Sequence, residues 1–83
     1  MELKLEQIIQ MHPNCEILAC DEDTEIHIFD HSGICINSYS WYGYDGEDGE
    51  YRSSFCGIGE SKEAIINCYM EDHCSIRCIH KEN

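Results

Sequence analysis

Residues 73–80 of the sequence carry side chains that could ligate a metal ion. Two histidines and two cysteines fall within these eight residues, between His73 and His80. Zinc prefers four such ligands in a tetrahedron, usually supplied as two close pairs. Cys74 and Cys78 have a usable spacing and His80 could join them, but no C-x2-C pair completes a familiar zinc pattern. We therefore expect no cofactor, with a structural zinc site at Cys74, Cys78 and His80 as the alternative.

Three further patterns that could carry chemistry are incomplete. The acidic run from Asp21 resembles the start of an EF-hand loop, but Ile26 stands where a calcium loop requires Gly. The segment 57–62 before a helix fits neither the Walker pattern nor the dinucleotide fingerprint. A Cys–His nucleophile pair is a weak signal in a chain with seven Cys and five His, because chance proximity is expected. We therefore expect that the protein is not an enzyme.

Charge is the strongest signal in the composition. Seventeen Asp and Glu against five Lys and Arg give a formal net charge of -12 over 83 residues, a length that suits one domain, 1–83. A hydrophobic content of 42% argues that the chain folds rather than remaining disordered. Carboxylates repel the phosphates of nucleic acids and of anionic membranes, so direct binding to either is disfavoured. The natural complement is a basic protein surface.

The cysteines and the N-terminal residues indicate a reducing compartment. Seven cysteines are an odd number for a disulfide framework. The first residues lack an apolar signal-peptide core, and no stretch approaches the roughly 18 apolar residues of a membrane span. We expect reduced thiols and a cytoplasmic location.

Hydrophobic periodicity predicts the elements that would position these residues. A helix is predicted up to Met11, where Pro13 ends it. Strands are predicted at 15–20, 25–29, 34–44 and 50–58, and a second helix at 62–72 with Ser61 as its N-cap and an inner stripe of Ala64, Ile65, Cys68, Tyr69 and Asp72. A fifth strand at 75–79 is optional, and Cys35 and Cys68 are expected in the core. The fold class is α+β: one antiparallel meander of three to five strands, with the N-terminal and C-terminal helices packed on one face.

A meander places alternate turns at the same end of the sheet, which would gather two acidic turns. Neighbouring strands lie about 4.8 Å apart, so these turns would lie within roughly 10–15 Å, comparable to the spacing of nucleic-acid phosphates. The carboxylates are Asp21, Glu22, Asp23 and Glu25 in one turn, and Asp45, Glu47, Asp48 and Glu50 in the other. Tyr and Trp are favoured interface anchors, and the candidates beside the second turn are Trp41, Tyr42 and Tyr44. Strand alternation puts Trp41 on the face opposite Tyr42 and Tyr44, so we expect one of the two sets to be exposed.

In length, charge, order of elements and acidic turns, the chain resembles the small acidic inhibitors carried by phages. These include anti-CRISPR proteins and anti-restriction proteins that act as nucleic-acid mimics. The resemblance implies a non-catalytic inhibitor in the bacterial cytoplasm that binds the basic nucleic-acid-binding surface of a defence protein such as a CRISPR effector. The alternatives are an immunity protein or antitoxin that caps a basic nuclease toxin, and a small zinc-stabilised adaptor.

Overall fold

A computed structural model of the chain describes residues 3–43 and 49–80, the side chain of His80 excepted. The elements in chain order are α1 Leu5–Met11, β1 Glu16–Cys20, β2 Glu25–Phe29, β3 Cys35–Tyr42, β4 Glu50–Ser54, α2 Lys62–Glu71 and β5 Ile76–His80. The end of α1 at Met11 and the bounds of β2 are as predicted. None of the helices in the described part of the chain has the length and apolar character needed to cross a membrane.

The five strands form one open sheet in the order β4-β3-β2-β1-β5. Every neighbouring pair is antiparallel. Strands β1 to β4 form the predicted meander, while β5 lies at the free edge of β1 rather than beside β4. Helix α2 therefore carries the chain from one edge of the sheet to the other. The prediction of an α+β fold with an antiparallel sheet is confirmed.

The two helices pack on opposite faces of the sheet, so the prediction that they share one face is wrong. On the face covered by α1, Ile8 of the helix packs in one buried cluster with residues of the strands: Ile17, Ala19, Ile26, Ile28, Tyr39 and Tyr51. On the face covered by α2, Ile65 of the helix packs in a second buried cluster with Leu18, Cys20, Phe29 and Cys35. Successive residues of a strand point to opposite faces, and both sets in β1 and β2 are apolar enough to attract a helix.

Helix α2 is rotated relative to the predicted inner stripe. Ile65 is buried and Ile66 and Tyr69 pack against the same cluster, whereas Ala64, Cys68 and Asp72 are exposed. Burial of apolar area favours two adjacent isoleucines over a small alanine and a thiol. The expectation of a core position is thus confirmed for Cys35 and wrong for Cys68.

Strand β4 ends four residues earlier than predicted, at Ser54. The amide of Cys56 donates to Ser54 Oγ at 3.1 Å, and Gly57 has a φ of +81°, which turns the chain away from the sheet. The turn leaves Phe55 94% exposed. The strand therefore ends at a turn that begins before Gly57 is reached.

Both ends of α2 are satisfied by local hydrogen bonds. Ser61 Oγ accepts from the amide of Ala64 at 3.2 Å, which confirms the predicted N-cap. At the other end, the amides of His73 and Cys74 donate to the carbonyls of Met70 and Tyr69 at 3.1 and 2.9 Å. This is a Schellman motif in which His73, with a φ of 58°, occupies the left-handed position that usually holds Gly.

Replacing His73 by Gly should stabilise the fold. A left-handed backbone costs a residue with a Cβ roughly 1–2 kcal/mol, and Gly does not bear that cost. We expect His73→Gly to raise the free energy of unfolding by about 1 kcal/mol in urea titrations. His73→Ala is the matched control, because it removes the imidazole but keeps the Cβ. Equal stability of the two variants would contradict the prediction.

Candidate functional site

The turn between β1 and β2 and the start of β4 meet at one end of the sheet. The amide of Trp41 donates to the carbonyl of Thr24 at 2.8 Å, and Tyr51 Oη donates to the carbonyl of Asp23 at 2.6 Å. We call the acidic end the group of carboxylates that lies here: Asp21, Glu22, Asp23, Glu25 and Glu50. The remaining candidates, Tyr44, Asp45, Glu47 and Asp48, lie outside the described residues.

The β1–β2 turn has a left-handed backbone. Asp21, Glu22 and Asp23 have φ values of 54°, 55° and 68°, without a glycine among them. The amide and the hydroxyl of Thr24 close the turn on the carbonyl of Asp21, at 3.1 and 2.8 Å. Such conformations persist only where the surrounding structure over-determines them.

Residues at and just before β5 hold this turn in place. The backbone carbonyl of Ser75 accepts from the amide of Asp21 at 2.8 Å, and Ser75 Oγ accepts from the amide of Glu22 at 2.7 Å. The guanidinium of Arg77 donates to both carboxylate oxygens of Asp23, at 2.9 and 2.7 Å. A bidentate pair of this kind fixes geometry as well as charge. The turn is therefore a preformed shape rather than a loose loop.

The five carboxylates of the acidic end differ in how far they are already engaged. Hydrogen bonding to Arg77 lowers the pKa of Asp23, and burial raises the pKa of Glu25 although Ser40 donates to it at 2.9 Å. Glu50 pairs with Arg52 at 3.0 Å. Asp21 and Glu22 are exposed, and no ion pair in the described ranges engages either of them, although the Asp21 carboxylate is hydrogen-bonded to the Cys74 thiol. These two carboxylates are the ones most open to a partner.

The sequence interpretation missed Asp72 and Cys74 as members of the same region. After desolvation, the negative charges of Asp21 and Asp72 are the next causes that raise the pKa of the Cys74 thiol. The C-terminal end of α2 therefore adds an exposed carboxylate beside the turn. The sequence did show carboxylates at the C-terminus of the predicted second helix. It did not show that α2 would cross the sheet and bring that terminus beside the β1–β2 turn.

The predicted aromatic anchors separate as strand alternation requires. Trp41 belongs to the α1 face and meets Tyr51 edge-on, with ring centroids 4.9 Å apart. Tyr42 is 52% exposed, and the guanidinium carbon of Arg52 lies 4.6 Å from its ring centroid. Tyr42 is therefore the exposed member that was expected of one set.

A cleft of about 280 Å³ opens between the turn and the aromatic pair. Its walls are formed by Glu22, Asp23, Thr24, Trp41 and Tyr51. Two of the predicted carboxylates, Glu22 and Asp23, and the predicted Trp41 thus line one concave surface, to which Tyr51 adds a largely buried ring.

The two candidate zinc thiols lie at different places along β5. Cys74 precedes the strand and donates to the carbonyl of Asp72, whereas Cys78 Sγ lies 4.0 Å from the carboxylate of Glu16. Three residues lie between them, and at about 3.3 Å per residue of extended chain their Cα atoms can be up to roughly 13 Å apart. The side chain of His80 is outside the described part of the chain. Within that part, no three His, Cys, Asp or Glu side chains are grouped closely enough to hold a metal ion.

A Cys–His contact does occur, but it lies in the core beneath α2. Cys35 Sγ is 3.8 Å from Nδ1 of His27, and Nε2 of the same imidazole is 3.0 Å from the Tyr69 hydroxyl. Both Cys35 and His27 are 1% exposed, and burial raises the pKa of the thiol. A buried neutral thiol is a poor nucleophile, so we interpret this group as a structural polar network.

Burial of His27 predicts a loss of stability in mild acid. Desolvation lowers its pKa from 6.5 in the folded chain, so the unfolded chain takes up the proton first as pH falls. The stabilising contribution is complete above the unfolded pKa and declines as pH drops below it. Between about pH 7.5 and about pH 5.5, His27→Gln should lose less free energy of unfolding than the parent protein.

The matched comparison is a double variant, His27→Gln with His12→Gln, which should lose still more of the pH dependence of stability. Burial also lowers the pKa of half-buried His12. Part of the pH dependence of the free energy of unfolding therefore remains in the His27→Gln variant. Unfolding in urea at several pH values gives the comparison. Identical pH profiles for parent and His27→Gln would contradict the assignment.

Comparison with known proteins adds no relative to this picture. No protein-family model, no curated protein and no solved structure matches the chain. The site is therefore characterised by its geometry and charge: a rigid acidic turn, two exposed carboxylates and an adjoining aromatic cleft.

Proposed function

We propose that the protein is a non-catalytic inhibitor that binds the basic nucleic-acid-binding surface of a bacterial defence protein, as anti-CRISPR proteins do. The observation that carries the proposal is the clamped left-handed turn that presents Asp21 and Glu22. A fixed arrangement of carboxylates supports recognition because little conformational entropy is lost when a partner binds. The net charge of -12 provides the long-range attraction.

The proposed mechanism is steric and electrostatic competition in the cytoplasm of the bacterial host. The acidic end occupies a cationic groove that otherwise holds the phosphates of DNA or RNA. Because the same charge repels phosphates, the chain alone should not bind nucleic acid. A CRISPR effector is the partner class that we favour, since its guide and target strands lie in a positively charged channel.

A functional assay tests this proposal directly. Bacteria with active CRISPR immunity should again form phage plaques when they express the chain. The purified effector should lose target-DNA binding in gel-shift experiments as the chain is added. A shift of DNA by the chain alone, or no effect on any effector in a panel of CRISPR types, would count against the proposal. Specific protection from a nuclease toxin would instead indicate an immunity protein.

The open carboxylates should matter through the rate of association. We expect Asp21→Asn with Glu22→Gln to slow binding to the susceptible effector by roughly three- to ten-fold and to weaken its salt dependence, because charge steers the encounter. The control is Glu60→Gln with Glu63→Gln, which changes the net charge equally but lies at the opposite end, near Gly33. Stopped-flow or surface-binding kinetics provide the rates. Equal rates for both double variants would mean that the turn does not form the contact.

A further inference from the structure

The cleft beside the turn combines a carboxylate with two aromatic rings. Glu22, Asp23 and Thr24 form one wall, and Trp41 and Tyr51 form the other. Its volume of about 280 Å³ is large enough for the planar head of one side chain. The cleft shares Glu22 with the pair of open carboxylates, and it differs from them in that two of its five lining residues are aromatic.

One ring of this cleft already has a cation beside it within the chain. The ammonium of Lys4 lies 5.8 Å from the Trp41 ring centroid, within the roughly 6 Å range of cation–π attraction. The geometry and field around Trp41 therefore suit a positive charge beside its ring.

The carboxylate available to an incoming cation is that of Glu22. Arg77 holds both oxygens of Asp23, so that side chain is neutralised within the protein. Glu22 is exposed, and its backbone amide is fixed by Ser75 Oγ, which sets where its side chain starts. A cation in the cleft can therefore meet Glu22 and the partly exposed ring of Trp41 together.

We propose that this cleft receives one arginine side chain of the basic partner. The inference rests on the proposed function, because it assumes a partner with a basic surface. Arginine fits better than lysine, since a planar guanidinium stacks on aromatic rings and pairs with a carboxylate through two parallel hydrogen bonds. An ammonium head is compact and more strongly hydrated, and it gains less from the rings.

Short cationic peptides test the cleft without any partner protein. Trp41 is the only tryptophan of the chain, so its fluorescence reports on this cleft. Hexa-arginine added at low salt should change the Trp41 emission in a saturable way, and hexa-lysine of equal charge should bind more weakly. We expect Glu22→Gln to weaken hexa-arginine binding about five-fold. Glu60→Gln, with the same loss of charge at the other end of the sheet, should not weaken it.

Labelled peptides, followed by fluorescence anisotropy, separate this inference from the proposed function. Hexa-arginine that binds with unchanged Trp41 emission and equal affinity for the Glu22 and Glu60 variants would overturn the cleft as its receptor. The effector assays would then still decide the proposed function. If neither peptide binds, the cleft is also overturned. If the effector assays fail while hexa-arginine binds in a Glu22-dependent way, the arginine site stands and the partner class is wrong.

Discussion

Strands β1 and β2 are buried on both faces, and the two helices and the outer strands are positioned so that they cover these two strands. Four of the five residues in each strand are buried, because α1 covers one face and α2 the other. Each fully buried isoleucine or phenylalanine contributes about 1.5–3 kcal/mol. A polar residue in such a strand needs an internal partner. His27 accordingly reaches the Tyr69 hydroxyl on α2, at 3.0 Å.

The same core must withstand the repulsion of an acidic chain, and two of the few cations tie separate elements together. Lys62 at the start of α2 pairs with Glu16 on β1 at 2.6 Å. Arg77 joins β5 to the β1–β2 turn through Asp23. Lys62 and Arg77 thus hold elements of the fold together, whereas exposed carboxylates such as those of Asp21 and Glu22 carry part of the excess negative charge. Exposed ion pairs contribute little to stability individually, so their main role here is to position elements.

Local patterns predicted the elements well, and the arrangement of layers poorly. Pro13, the period of helix α1 and the Ser61 cap act within one turn of chain, so α1 and the start of α2 were predicted correctly. The alternation of polar and apolar residues in β2 was also clear. An alternating pattern, however, does not reveal whether the face that carries the polar residues is covered by another element. That is why His27, one of the most deeply buried side chains, carried no signal. The position of α2, and with it Asp72 and Cys74, depends on a crossover that no local rule specifies.

The position of β5 has a consequence for how the sheet is completed. Strand β1 lies inside the sheet, but one of its neighbours comes from a segment about 60 residues later in the chain. Contacts of such sequence separation form slowly, because a long loop must close before they are gained. Until β5 docks, one edge of an apolar strand is unpaired and the acidic turn lacks the bonds from Ser75 and Arg77. An exposed edge of this kind is a template for pairing between chains, and the high net charge keeps such chains apart while folding proceeds.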